Sequence, residues 1–74
     1  MNDLDRLMLA AYKATVEAEQ PFANAKAVFA GLELPSGSTA GMLIQQRGYL
    51  ADSPVGSIAL SNSGIRYVEE RLLG

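Results

Sequence analysis

Between Asp3 and Glu19 the chain has no glycine and no proline, and its apolar side chains recur at helical spacing on two adjacent faces. Leu4, Leu7, Met8, Ala11, Thr15 and Ala18 form one stripe. Leu9, Tyr12 and Val16 lie beside it at three- and four-residue steps. Asn2 can cap this helix, and Asp3 and Asp5 place negative charge at its positive dipole end. A helix with two faces to bury needs neighbours on two sides. The second face has two possible covers. One is the chain's own elements, which makes helix one the centre of a small bundle. The other is a second copy, for which Leu9, Tyr12, Val16 and Tyr67 are the self-association candidates.

Pro21 ends helix one, and Gln20 to Phe22 is a short extended link. Asn24 can cap a second helix over 24 to 31, in which Ala25, Val28, Phe29 and Leu32 share a face and Gly31 is the expected left-handed terminator. Leu34 to Ser38 is a turn by composition, and Ser36 or Ser38 can cap the next helix. That third helix, from Thr39 to Arg47, turns Ala40, Leu43 and Ile44 inward, puts Ser38, Met42 and Gln45 opposite, and closes at Gly48. Gly41 inside it costs about 0.5–1 kcal/mol relative to alanine, so this helix leans on tertiary packing or on a close approach there.

After Gly48 the period changes to two. Tyr49 to Asp52 and Ser57 to Leu60 are predicted strands, joined by the compact hairpin loop Ser53-Pro54-Val55-Gly56. Ser61 or Ser63 caps a last helix with Ile65, Val68 and Leu72 inward and Tyr67 and Leu73 off that stripe. Phe22 and Phe29 are expected in the core, and Tyr12, Tyr49 and Tyr67 at its edge with wet hydroxyls.

An apolar fraction of 49% with 19% charged residues belongs to a folding sequence, and the length allows one domain, residues 1–74. There is no Cys and no His, which excludes disulfides and ordinary zinc sites and removes the usual catalytic base. The carboxylates fall at helix starts, turns and solvated faces, with no evident inward pair and no glycine-rich phosphate loop, so the expectation is a protein that is not an enzyme and carries no cofactor or metal. The longest strongly apolar run, Leu7 to Tyr12, is far short of the roughly 20 residues of a membrane span, and the start of the chain is acidic where a signal peptide is basic. A cytoplasmic protein without membrane contact is expected.

The order helix, helix, helix, hairpin, helix resembles the winged-helix superfamily. Gly31-Leu32 through Arg47-Gly48-Tyr49-Leu50 is similar to that family's stretch from the end of its second helix to the turn after its recognition helix. Ile58-Ala59-Leu60-Ser61-Asn62-Ser63-Gly64-Ile65-Arg66-Tyr67 resembles the "I-x-L-T-x-x-G-x-x-Y" entry into the last helix of small bacterial winged-helix regulators, including multiple-antibiotic-resistance-type regulators, with Ser61 in the Thr place. The likeness covers residues 22 to 73 and implies an α+β fold: a three-helix bundle with a two-stranded hairpin wing and a C-terminal helix.

The resemblance implies a module for double-stranded DNA, in a transcriptional or phage-type regulator. Ser38, Thr39, Met42, Gln45 and Gln46 would then face the major groove, with Arg47 and Lys26 on phosphates. Gln pairs bidentately with adenine, Ser and Thr bond bases or phosphates, and a Met can touch a thymine methyl. Charge pulls the other way. Six Lys and Arg against eight Asp and Glu leave a net charge of −2, and Ser53 to Gly56 holds no cation. Duplex affinity comes largely from neutralised phosphates, so a monomer would bind weakly and a dimer would be needed. The alternative is a protein-interaction or dimerisation winged helix that binds no DNA, using Met42 and its neighbours or Leu9, Tyr12 and Val16.

Overall fold

Four short polar side chains start the four helices seen among the described residues. In the computed structural model, which describes residues 1–35 and 37–74, α1 spans Asp3–Tyr12, α2 Ala25–Gly31, α3 Thr39–Gln46 and α4 Asn62–Tyr67. Asn2 and Asn24 accept from the backbone N–H groups of Asp5 (2.8 Å) and Ala27 (2.9 Å). Ser38 accepts from Gly41 (3.5 Å) and Ser61 from Gly64 (3.2 Å). Each cap satisfies an amide that the helix itself leaves unpaired. Of the two serines proposed for each later helix, Ser38 and Ser61 take the role, while Ser36 lies outside the described residues. α1 and α4 each run on into a wider π-helical turn, Lys13–Glu17 and Val68–Leu72. Helix one thus stops at Glu17, short of Glu19 and ahead of Pro21.

Three helices end on one backbone device, in which the residue past the cap turns left-handed and two N–H groups reach back to orphan carbonyls. After α3, Gly48 (φ 72°) donates to the Gln45 carbonyl at 3.1 Å and Tyr49 to that of Ile44 at 3.0 Å. After α2, the left-handed residue is Glu33 (φ 58°), with Glu33 donating to Ala30 and Leu34 to Phe29, both at 3.0 Å. Glu19 (φ 55°) does the same for the turn after α1, donating to Val16, with Gln20 donating to Thr15. Gly31, expected to terminate α2, is its last helical residue and keeps a negative φ. The chain turns two residues later, where the Leu34 N–H can reach the Phe29 carbonyl.

The sheet also differs from expectation. Its two strands are β1, Ala23–Asn24, and β2, Ser57–Ile58, antiparallel with Ala23 opposite Ile58 and Asn24 opposite Ser57. The expected hairpin between 49–52 and 57–60 reduces to one bridge, Leu50 opposite Leu60, flanked by the bonds Ala51 N–H to Ala59 O and Ser61 N–H to Tyr49 O, both 2.9 Å. Ser57–Leu60 therefore has partners in two segments, and one of them, β1, lies between the expected link Gln20 to Phe22 and α2, where no strand was expected. The Ala25 N–H donates to the Gly56 carbonyl at 2.9 Å, fixing the loop base against α2.

The core gathers Leu7, Met8 and Ala11 of α1, Ala40 and Ile44 of α3, Ile58 and Leu60, and Val68. α1 packs on α2, on α3 and on the Val68–Leu72 turn, which buries its first apolar face and Tyr12, while Leu9 stays half-buried and Val16 in the following turn is exposed. Ala18 lies outside this core and is exposed, because the helix has already ended. Phe22, expected inside, is 44% exposed. Strand alternation turns Ala23 toward the core, which puts its predecessor on the other side. Phe29 is half-buried against the core. The result is a small compact α+β unit, with a radius of gyration of 10.8 Å. Among the described residues no helix is long and apolar enough to cross a membrane.

Candidate nucleic-acid interface

α3 is held from behind. Ala40 and Ile44 are buried and Leu43 is half-buried, which leaves Thr39, Met42, Gln45 and Gln46 exposed, Met42 at 57%. The inward set is the one that the 3.6-residue period predicts. Ser38 departs from its expected place: it is half-buried, and its hydroxyl oxygen is occupied by the cap to Gly41. Arg47, expected on phosphate rather than on the outward face, is exposed. It is the residue that caps the C-terminus of α3, and it lines a groove of about 620 Å³ together with Asp3, Thr39, Leu43 and Tyr67.

Lys26 is exposed on α2 and lines a second groove, of about 400 Å³, with Phe29, Leu34 and Gly56. Leu34 borders both grooves. Two other arginines are engaged within the chain. Arg6 pairs with Asp3 at 3.0 Å and donates to the Leu32 carbonyl at 3.1 Å, while Arg66 pairs with Glu70 at 3.1 Å. Both pairs are solvated surface pairs, whose typical worth is about 0–1 kcal/mol. The loop Ser53 to Gly56 ends in an apolar tip, with Val55 fully exposed.

The four self-association candidates do not share one face. Tyr12 is buried, and its hydroxyl donates to Glu69 Oε2 at 2.8 Å. Tyr67 stacks on Tyr49 with ring centroids 5.0 Å apart and donates to Asp5 Oδ1 at 2.6 Å. The hydroxyls expected in water thus tie α1 to the last helix. Each tyrosine is held above the ordinary value of 10.0, first because its neutral form donates to a carboxylate, then through burial and the charge of that carboxylate; for Tyr67, Arg47 acts in the opposite direction. Of the set, Leu9 borders a small groove with Arg6 and Lys13, and Val16 is 37% exposed.

Sequence reasoning missed Asp5 and Glu69 as hydrogen-bond acceptors, since they lie 62 and 57 positions from their tyrosines and no local pattern links them. It also missed the close approach at Gly64, where a Cβ would collide with the Tyr49 carbonyl oxygen. That glycine lets α4 start directly on the backbone of the segment following α3.

No protein-family model, curated protein or solved structure matches the chain.

Proposed function

We propose that the chain is a winged-helix module that binds double-stranded DNA, with α3 as its recognition helix and the loop Ser53–Gly56 as its wing. The order α1, β1, α2, α3, then Tyr49–Ala51 and Ser57–Leu60 in antiparallel register, then α4, supports the fold assignment. The observation that carries the functional reading is the outward face of α3: a short, backed helix presenting Thr39, Met42, Gln45 and Gln46 to solvent. Such a face can enter the major groove and meet base edges.

Affinity is limited by charge. With Lys26 and Arg47 at the flanks and Arg66 and Arg71 on the last helix, two to four phosphates are within the reach of this chemistry. The logarithm of the binding constant should then fall with the logarithm of salt concentration at a slope of about −2 to −4 per protomer. Fluorescence anisotropy with a labelled duplex tests this, with binding expected at about 50 mM salt and lost near 200 mM. A flat titration at the lower concentration overturns the reading.

A second reading, a protein-interaction module, is favoured by one observation. The wing has no cation and ends in a fully exposed Val55, and Met42 is largely exposed on α3. Apolar side chains on an uncharged loop suit a protein surface. Sedimentation at high concentration, with pull-down from lysate, tests it. A monomer that captures nothing removes this reading.

A further inference from the structure

We infer that the outward face of α3 selects A·T base pairs, over a run of about three. The inference rests on the DNA-binding reading and narrows it to a base composition. Its starting point is what the fold removes from that face. Arg47, the one cation of the Thr39–Arg47 stretch, sits at the cap beyond the last helical residue, in the groove with Asp3 and Tyr67. Ser38 is occupied at the helix start. Arg47 is exposed, but the 3.6-residue period places it past the last helical residue and on the side of Ala40 and Leu43, so the stripe itself is two amides and two methyl-bearing side chains, with no charge of either sign.

Each base pair shows a distinct pattern in the major groove, and this set matches only part of the code. Adenine presents an acceptor at N7 and a donor at N6, which the amide nitrogen and oxygen of one Gln satisfy together. Thymine presents a methyl group, which the Met42 thioether or the Thr39 methyl can cover. Guanine presents two acceptors, O6 and N7, so a Gln that approaches it can use only its amide N–H groups and finds no donor for its carbonyl oxygen. The usual guanine reader is a bidentate Arg or Lys, and the usual acceptor for the cytosine amino group is a carboxylate. This face has neither.

The spacing sets the length of the run. Met42 lies three residues from Thr39, and Gln45 and Gln46 lie three and four residues from Met42, so the four form one stripe. From Thr39 to Gln46 the helix rises about 10 Å, which matches the rise of about three base pairs.

The test is selection from a pool of duplexes with a randomised centre, at low salt, with sequencing of the bound fraction. A·T should be enriched over G·C at two or three adjacent pairs, by about 5- to 100-fold. Gln45→Arg and Gln46→Arg, both at exposed positions, should each move the preference at one pair toward guanine. Enrichment of G·C, or an A·T preference that neither variant shifts, overturns this inference and leaves DNA binding standing. A pool recovered without any enrichment at all, and without measurable binding, overturns both.

Discussion

The seam between α1 and the last helix and the outward face of α3 both carry polar groups, with opposite results. In the seam, Tyr12 and Tyr67 commit their hydroxyls to Glu69 and Asp5, and Tyr49 stacks on Tyr67. On α3, Gln45, Gln46, Thr39 and Met42 stand in water while Ala40 and Ile44 behind them are buried. The seam is polar chemistry used to hold the fold together. The α3 face is polar chemistry left free for something outside the molecule, and its lack of charge decides what that can be.

The largest effect should come from the side chain just behind that face. Ile44→Ala removes a buried side chain and should cost about 2–5 kcal/mol, whereas Met42→Ala on the outward side should stay within about 0.5 kcal/mol, both read from urea unfolding. Comparable losses would erase the distinction between the two sides of α3. Gly64→Ala comes next, since its Cβ meets the Tyr49 carbonyl and must push α4 away, at about 1–3 kcal/mol. A melting temperature equal to that of the parent would mean that α4 does not sit where described.

Tyr67→Phe should cost about 0.5–1.5 kcal/mol by removing one hydrogen bond and leaving Asp5 its access to water. The seam also sets an alkaline limit. Below the ordinary tyrosine value of 10.0 both hydroxyls are protonated, folded or unfolded, and the seam contributes in full. Above it the unfolded chain ionises first, because the folded values are raised, and stability falls as pH climbs through the folded ones. The double variant Tyr12→Phe, Tyr67→Phe should flatten that decline in unfolding curves taken on both sides of the value. The smallest effect is expected outside both regions: Glu33→Gly relieves a left-handed glutamate and should add about 0.5 kcal/mol. A loss of stability there would mean that Glu33 gains more from its side chain than it loses to backbone strain.

The pattern of what could be read in advance comes from range. Asn2, Asn24, Ser38 and Ser61 were readable as caps because a cap acts three residues away, inside the window of a local pattern. The inward set of α3 was readable for the same reason. Gly48 announced its left-handed turn by its identity, but Glu19 and Glu33 did not, since glutamate carries no signal for that conformation. β1 is two residues long and exists only through its pairing with β2, more than thirty positions on, so no period marks it. The candidate site divides along the same line. Thr39, Met42, Gln45 and Gln46 were found by period, while the groove that Arg47 shares with Tyr67 and the capture of Tyr12 by Glu69 come from the tertiary fold.

The claim on which the account stands is that the outward face of α3 is the working surface. Amide chemical shifts of the labelled protein, recorded while a duplex is added at low salt, test it most directly. The largest changes should fall on residues 39–47, with smaller ones near Lys26 and the Ser53–Gly56 loop and little change along the seam. Shifts confined to the groove bordered by Leu9 and Lys13, or a spectrum that does not respond to DNA, would contradict it.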